Sequence, residues 1–340
     1  MPRTLHLEFS NPADLSRAAT LLRGGSLVAF ATETVYGLGA NALSAEAVAG
    51  IFIAKKRPSW DPLIVHLASV EQLSVVTRVP GELAGRVAAL AEAFWPGPLT
   101  LLLPRTEAVP DAVTAGRRLV GVRVPGHPAA QALLAAVGLP IAAPSANLFG
   151  HTSPTTAAHV LADLDGQIDA VLDAGPTSIG VESTVLDPSQ TPMVLYRPGA
   201  VTAEQLTAVT GVAVEVFAPV VNSQPASMPS PGVGIRHYAP RARMVLVEGS
   251  VAALRAALQE CAAPGASVGV MLPDGWLLEG DAVVERWGRW EDTEALAAGL
   301  FAGLRALDDR GVSVILCPLP EAGGLADAIR DRLQKAARSA

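Results

Sequence analysis

The chain has 340 residues, half of them apolar and 17% charged, with a net charge of −7. This length admits two domains with sizeable cores. With 13 Lys+Arg against 18 Asp+Glu in residues 1–215 and 12 against 14 in the rest, neither part offers the broad basic surface of a non-specific nucleic-acid binder. Two cysteines (Cys261 and Cys317), no zinc-like Cys/His spacing, no long apolar run and no leader-like N-terminus lead to the expectation of a reduced, cytoplasmic protein without a membrane segment.

Asn11 is placed to cap a helix over 11–24, with Pro12 at its first position and Gly24-Gly25 as its stop. LVAFA (27–31) reads as a short buried strand. TETVYGLGANA then reads as a loop, most simply a turn in which the Thr32 and Thr34 hydroxyls bond nearby backbone; the alternative is that they point into a cleft while Gly37 and Gly39 let a ligand approach the backbone. A helix over 44–55, a strand over 62–68 and a helix over 81–94 follow, the last ended by Trp95-Pro96-Gly97-Pro98. Strands over 99–104 and 119–125, a helix over 128–137 and a strand in LPIAAPSAN come next. A helix over 155–164, the strand AVLDAG, a strand pair in STVLDP and MVLYRPG, and a helix over 202–210 complete this part. Alternating strands and helices define an α/β domain over 1–215, and the final strand pair makes its twisted sheet mixed.

Residues 216–243 are rich in Pro, Ser and Gly without a period, and read as a linker. Residues 244–340 repeat a β-α pattern, with helices over 250–262, 291–308 and 325–337. They are expected to form a smaller Rossmann-like, doubly wound domain.

The chemistry-bearing residues sit within or just after apolar runs, where α/β proteins build sites. Lys55 and Arg57 close a helix; their charges suit its dipole, and equally suit phosphate oxygens. His66 in LIVHL reads most simply as a core histidine. Arg123 lies inside VGVRVP, where a buried guanidinium must meet a carboxylate of the protein or of a ligand. Ser145 and Asn147 in PSANLFG do not form a G-x-S-x-G elbow, so they suit hydrogen bonding rather than nucleophilic attack. Ser183, in GVEST, and Arg197, in YRPG, end the set, while Ser153 can cap the helix after it. His237-Tyr238 in the linker is expected to fold back as a lid over the first domain's site. Neither a Walker A loop nor a G-x-G-x-x-G fingerprint after a strand occurs.

Taken in order, TETVYGLGAN, K-x-R, PLIVH, WPGPLT, VRVPGHP, APSAN, SPT, GVEST, RPG and HYAP resemble the threonylcarbamoyl-AMP synthases, in the long form with a YrdC-like domain and a C-terminal extension. The resemblance implies that L-threonine, bicarbonate and ATP combine to threonylcarbamoyl-AMP and pyrophosphate, for modification of adenosine 37 in tRNAs reading ANN codons. It implies threonine binding by Thr32, Thr34, His66, Arg123, Ala143 and Ser183. It implies ATP binding by Lys55, Arg57, Asp61, Leu119, Ser145, Asn147, Ser153, Arg197, His237 and Tyr238, with Lys55 and Arg57 at the reacting phosphates. Mg²⁺ would accompany ATP without a protein metal site, and transient partners would be tRNA or a downstream transferase complex. Four positions depart from the family pattern: Ala31 for Pro, Lys56 for Gly, Asp61 for Asn and Leu119 for Thr. The rival readings are a double-stranded RNA or tRNA-binding module without catalysis, and a carbamoyl-transfer subunit of the hydrogenase-maturation kind. The second is disfavoured by having two cysteines in place of zinc fingers.

Overall fold

The computed structural model describes residues 3–218, 230, 238–261, 265 and 267–338. By internal contacts the chain divides into two compact units. The first comprises Met1–Phe149, Pro154–Ser178 and Glu182–Gly234; the second comprises Ile235–Ala340 together with Gly150–Ser153 and Ile179–Val181.

The first unit opens with β1 (Leu5–Glu8), α1 (Pro12–Arg23), β2 (Val28–Ala31), β3 (Tyr36–Asn41) and α2 (Ala45–Lys55). β4 (Ile64–His66), the short α3 (Leu73–Val76), α4 (Gly81–Phe94), β5 (Leu99–Pro104) and α5 (Asp111–Thr114) follow. Then come β6 (Leu119–Arg123), α6 (Pro128–Val137), β7 (Ile141–Ala142), α7 (Ala157–Leu164) and β8 (Ala170–Asp173). β9 (Thr184–Asp187), β10 (Met193–Arg197), α8 (Ala203–Thr210) and β11 (Val214–Val216) close the unit.

Local chemistry sets the helix ends. Asn11 accepts from the Ala13 amide and Ser44 from the Ala47 amide, and Thr202 with Gln205 forms a capping box. Eleven strands form one mixed sheet in the order β1-β8-β2-β3-β7-β4-β6-β5-β9-β10-β11. Its main core packs Val65, Leu99, Leu101, Leu103, Val120, Val122 and Leu186 among the residues of α2, α4 and their neighbours.

The expected loop after β2 is largely a strand. β3 runs antiparallel to β2, pairing Val28 with Gly39 and Ala31 with Tyr36. Its glycines are required by the packing around them. A Cβ on Gly39 would lie 2.9 Å from the Phe30 ring and 3.1 Å from Ile141. One on Gly37 would lie 3.2 Å from the Ala143 methyl.

The second unit holds β12 (Arg243–Val247), α9 (Val251–Cys261), β13 (Val268–Asp274), β14 (Val283–Arg289), α10 (Thr293–Asp309), β15 (Val314–Pro318) and α11 (Leu325–Ala337). Its four strands are all parallel, in the order β12-β15-β13-β14. Helices on a short parallel sheet match the expected doubly wound form. β14 is an addition; VVERWGR does not alternate polar and apolar residues, although its exposure alternates along the strand around the buried Trp287.

Candidate active site

Side chains alternate between the two faces of a strand. Because the odd leucines of β5 and the even valines of β6 point into the main core, their neighbours point the other way. The opposite face therefore carries Ile64 and His66 from β4, Thr100 and Leu102 from β5, Leu119, Gly121 and Arg123 from β6, and Val185 from β9. Ile64, Leu102 and Val185 form a small apolar floor, against which Leu119 and Tyr196 pack. A Cβ on Gly121 would sit 3.3 Å from Thr100 and 3.4 Å from Ile64, which places these residues on one face. Polar groups flank the floor.

Arg123, 3% exposed, is the centre of this polar set. Its Nε donates to the Gly97 carbonyl at 3.1 Å and its Nη1 to the Thr34 hydroxyl at 3.0 Å. Thr34 in turn shares a 2.8 Å hydrogen bond with Thr32, whose hydroxyl donates to the Val35 carbonyl. Gly97 must be glycine, since a Cβ there would lie 2.4 Å from the Phe94 carbonyl oxygen. His66 is opposite Arg123 in the parallel β4–β6 register. Burial, then the Arg123 charge, push the His66 pKa down to about 3, so the ring is neutral at physiological pH.

The carboxylate that Arg123 needs is Glu33. Arg123 Nη2 lies 2.6 Å from Glu33 Oε1. Burial alone would raise the Glu33 pKa, but the Arg123 charge and backbone amides outweigh it and hold the group below its ordinary value. Reading the residues in order passed over Glu33, although it stands between Thr32 and Thr34. The signal was available, because a buried Arg123 calls for an acidic partner.

Ser183 and Arg197 form an adjoining cluster. Arg197 Nε donates to the Ser183 carbonyl at 2.9 Å and Nη2 to its hydroxyl at 3.0 Å. The same hydroxyl shares a 2.8 Å bond with Thr100, a second residue the sequence did not single out. Ser183 thus meets Thr100 and Arg197, an environment unlike that of an activated nucleophile. The Thr184 amide donates to the Pro98 carbonyl at 3.0 Å, so this cluster adjoins the Gly97 turn that holds Arg123.

Lys55, 1% exposed, donates through Nζ to the carbonyls of Ser145 (2.6 Å) and Asn147. It ties down the PSAN loop, which also bridges Gly37 to Ser145. Asn147 Nδ2 donates to the Leu148 carbonyl at 2.7 Å, and the Ala143 amide donates to the Ile64 carbonyl at 2.9 Å. Arg57 donates to the carbonyls of Asp61 (3.1 Å) and Pro62 (2.7 Å) and stands 5.9 Å from the Phe149 ring. Its Nη2 lies 3.0 Å from the Asp61 carboxylate, so the acidic departure at this position has a cation facing it.

Not every expected site residue falls in this set. Ser153, fully buried, belongs to the second unit. Tyr238 also belongs there, with its ring 5.7 Å from Phe301 and 5.4 Å from the Arg332 guanidinium. His237 lies outside the described residues.

Fold and site together define an α/β enzyme domain that gathers cations, hydroxyls and a neutral histidine on one sheet face, a set suited to anionic and zwitterionic substrates. The family Sua5_yciO_yrdC, described as "Telomere recombination", matches residues 20–199. The family described as "Threonylcarbamoyl-AMP synthase, C-terminal domain" matches residues 201–338. The threonylcarbamoyl-AMP synthase of Bacillus subtilis is 45% identical over 332 residues, 96% of this chain and 94% of that protein. That of Pyrococcus abyssi is 44% identical over 323 residues, 94% and 92% of the two chains. The crystal structure of P. abyssi Sua5 complexed with L-threonine superposes with a TM-score of 0.88 at 42% identity, covering 98% of this chain and 97% of that one. The chain belongs to the threonylcarbamoyl-AMP synthase family. Relatives named as synthases over nearly its full length favour catalysis over an RNA-binding module.

Proposed function

We propose that this chain condenses L-threonine, bicarbonate and ATP to threonylcarbamoyl-AMP and pyrophosphate. The observation that carries the reading is the shared sheet face of His66, Thr100 and Arg123, with Ser183 and Arg197 adjoining it, in a chain similar throughout to a synthase solved with L-threonine. Arg123 has five N–H donors in a planar fork. Two are directed at Gly97 and Thr34, and the fork retains donors for the substrate carboxylate. Neutral His66, Thr32, Thr34 and Ser183 supply hydrogen bonds to the rest of the amino acid, and the backbone at Ala143 borders it.

Bicarbonate loses hydroxide to become CO2, which the neutral threonine amine attacks; a C–N bond forms as a C=O π bond breaks, and the surplus proton on nitrogen joins the released hydroxide as water, leaving a carbamate. A carbamate oxygen then attacks the α-phosphorus of ATP, and the bond to the bridging oxygen breaks as pyrophosphate departs. Neither step needs a protein nucleophile. Both need alignment of reactants and cancellation of phosphate charge. Arg57 and Arg197 provide the charge, while Lys55 acts through the loop that carries Ser145 and Asn147. Leu119 presents an apolar wall beside the floor.

The first unit's site residues do not fit a protein-built Mg²⁺ cage. Asp61 is engaged by Arg57, and the one cluster of three metal-capable groups among the described residues, His6, Glu8 and Asp173, lies on β1 and β8 at the sheet edge. Mg²⁺ would arrive on the nucleotide's phosphates, with water completing its shell. The product would serve tRNA modification by a separate transferase. Among the described residues no helix is long and apolar enough to cross a membrane.

Pyrophosphate release measured with each substrate omitted in turn tests the reading. Release should require both threonine and bicarbonate; release that ignores either one refutes it.

A further inference from the structure

Glu33 has an unusual position. It is 8% exposed and charged; the Arg123 guanidinium and the Gly126 and Glu33 amides stand near enough to hold it ionised, yet among the described residues none of them makes a well-aligned hydrogen bond to either carboxylate oxygen. Arg123 Nη2 stands 2.6 Å from Oε1 as an ion pair, without an N–H directed along the contact. Buried carboxylates ordinarily satisfy their oxygens, so this one has unused acceptor capacity beside the guanidinium.

We infer that Glu33 is the counter-charge for the substrate's α-ammonium, so that the amino-acid site reads both ends of a zwitterion. The inference rests on the function proposed above, in which Arg123 takes the substrate carboxylate. In an α-amino acid the ammonium nitrogen is one carbon from the carboxylate. A carboxylate on the Arg123 fork therefore brings the ammonium within hydrogen-bond reach, about 3 Å, of a carboxylate already touching that fork. The Arg123–Glu33 pair then presents its two charges to a zwitterion of opposite sense. Its burial strengthens both contacts. Glu33 is ionised at neutral pH, as this role requires. Its backbone carbonyl also accepts a long, 3.4 Å bond from Ser178, which helps fix the turn between Thr32 and Thr34.

The contrary role is purely internal: Glu33 would only hold Arg123 in place. A ligand without the amine separates the two. Threonine and 3-hydroxybutyrate share the carboxylate and the hydroxyl and differ only in the ammonium. Calorimetry on the full chain, with displacement for the weaker ligand, compares them in the wild type and in Glu33→Gln. The wild type should prefer threonine at least 50-fold. Glu33→Gln should weaken threonine at least 20-fold and 3-hydroxybutyrate less than threefold. Equal weakening of both ligands, or of neither, overturns the inference. So does a wild-type preference below fivefold, a result that needs no variant to fold. A wild-type chain that binds no threonine would instead refute the functional reading itself, and this inference with it.

Discussion

Replacing Asp61 by Asn should make the ligand-free protein less stable and make nucleotide restore it. The Arg57 and Asp61 side chains are 4% and 2% exposed, and their charged atoms lie 3.0 Å apart. Removing one partner of such a pair strands the other charge, at a typical cost of 3–5 kcal/mol. Here Arg57 keeps its bonds to the carbonyls of Asp61 and Pro62, and asparagine retains the shape and one oxygen. The expected loss is therefore smaller, about 2–3 kcal/mol, and for a unit of this size corresponds to a Tm lower by roughly 4–12 °C. ATP phosphates would replace the lost carboxylate as the partner of Arg57. Saturating a non-hydrolysable ATP analogue should then reduce the Tm gap between variant and wild type to less than half. Turnover should stay within tenfold of the wild type, because the variant no longer sets a carboxylate against phosphate at Arg57. Differential scanning fluorimetry with and without the analogue measures both gaps. An apo Tm within 1 °C of wild type, or a gap that nucleotide leaves unchanged, would refute the account.

Lys56 caps α2 with φ 51°, in the left-handed region that glycine adopts without strain. Lys56→Gly should raise stability by about 1 kcal/mol, read from urea midpoints. Ser183→Ala would remove a hydroxyl shared by buried Thr100 and Arg197, costing about 2 kcal/mol. Combined with Thr100→Val its effect should be less than additive in a double-mutant cycle. His66 titrates near 3 when folded and near 6.5 when unfolded. Its contribution is fully present above pH 6.5 and is lost as pH falls toward 3, at about 1.4 kcal/mol per pH unit. Denaturant curves should show that slope from about pH 6 down to 4.5 and a plateau above 6.5 in the wild type, and a flatter acid limb in His66→Asn.

Several helices were legible to the residue. The spans 81–94, 128–137 and 325–337 have the same limits in sequence and structure. Their ends are written locally, in caps, prolines and glycines, and helix periodicity needs no distant partner. Other features depended on segments far apart in the chain. LHLE became a strand because β8 pairs with it in parallel register, from Leu5–Ala170 to Glu8–Asp173. The two glycines of TETVYGLGAN have their meaning from Phe30, Ile141 and Ala143 across the sheet, not from their own neighbours.

What the sequence by itself determined is the α/β class, the helix limits and the ordered motifs that mark the family. Only the tertiary structure decided that Glu33 is the carboxylate facing Arg123, that Thr100 joins Ser183 and Arg197, and that Asp61 answers Arg57. The reason is physical. Helix capping and strand alternation are written within a few residues, whereas the partner of a buried charge follows from strand order and register, which no local pattern encodes.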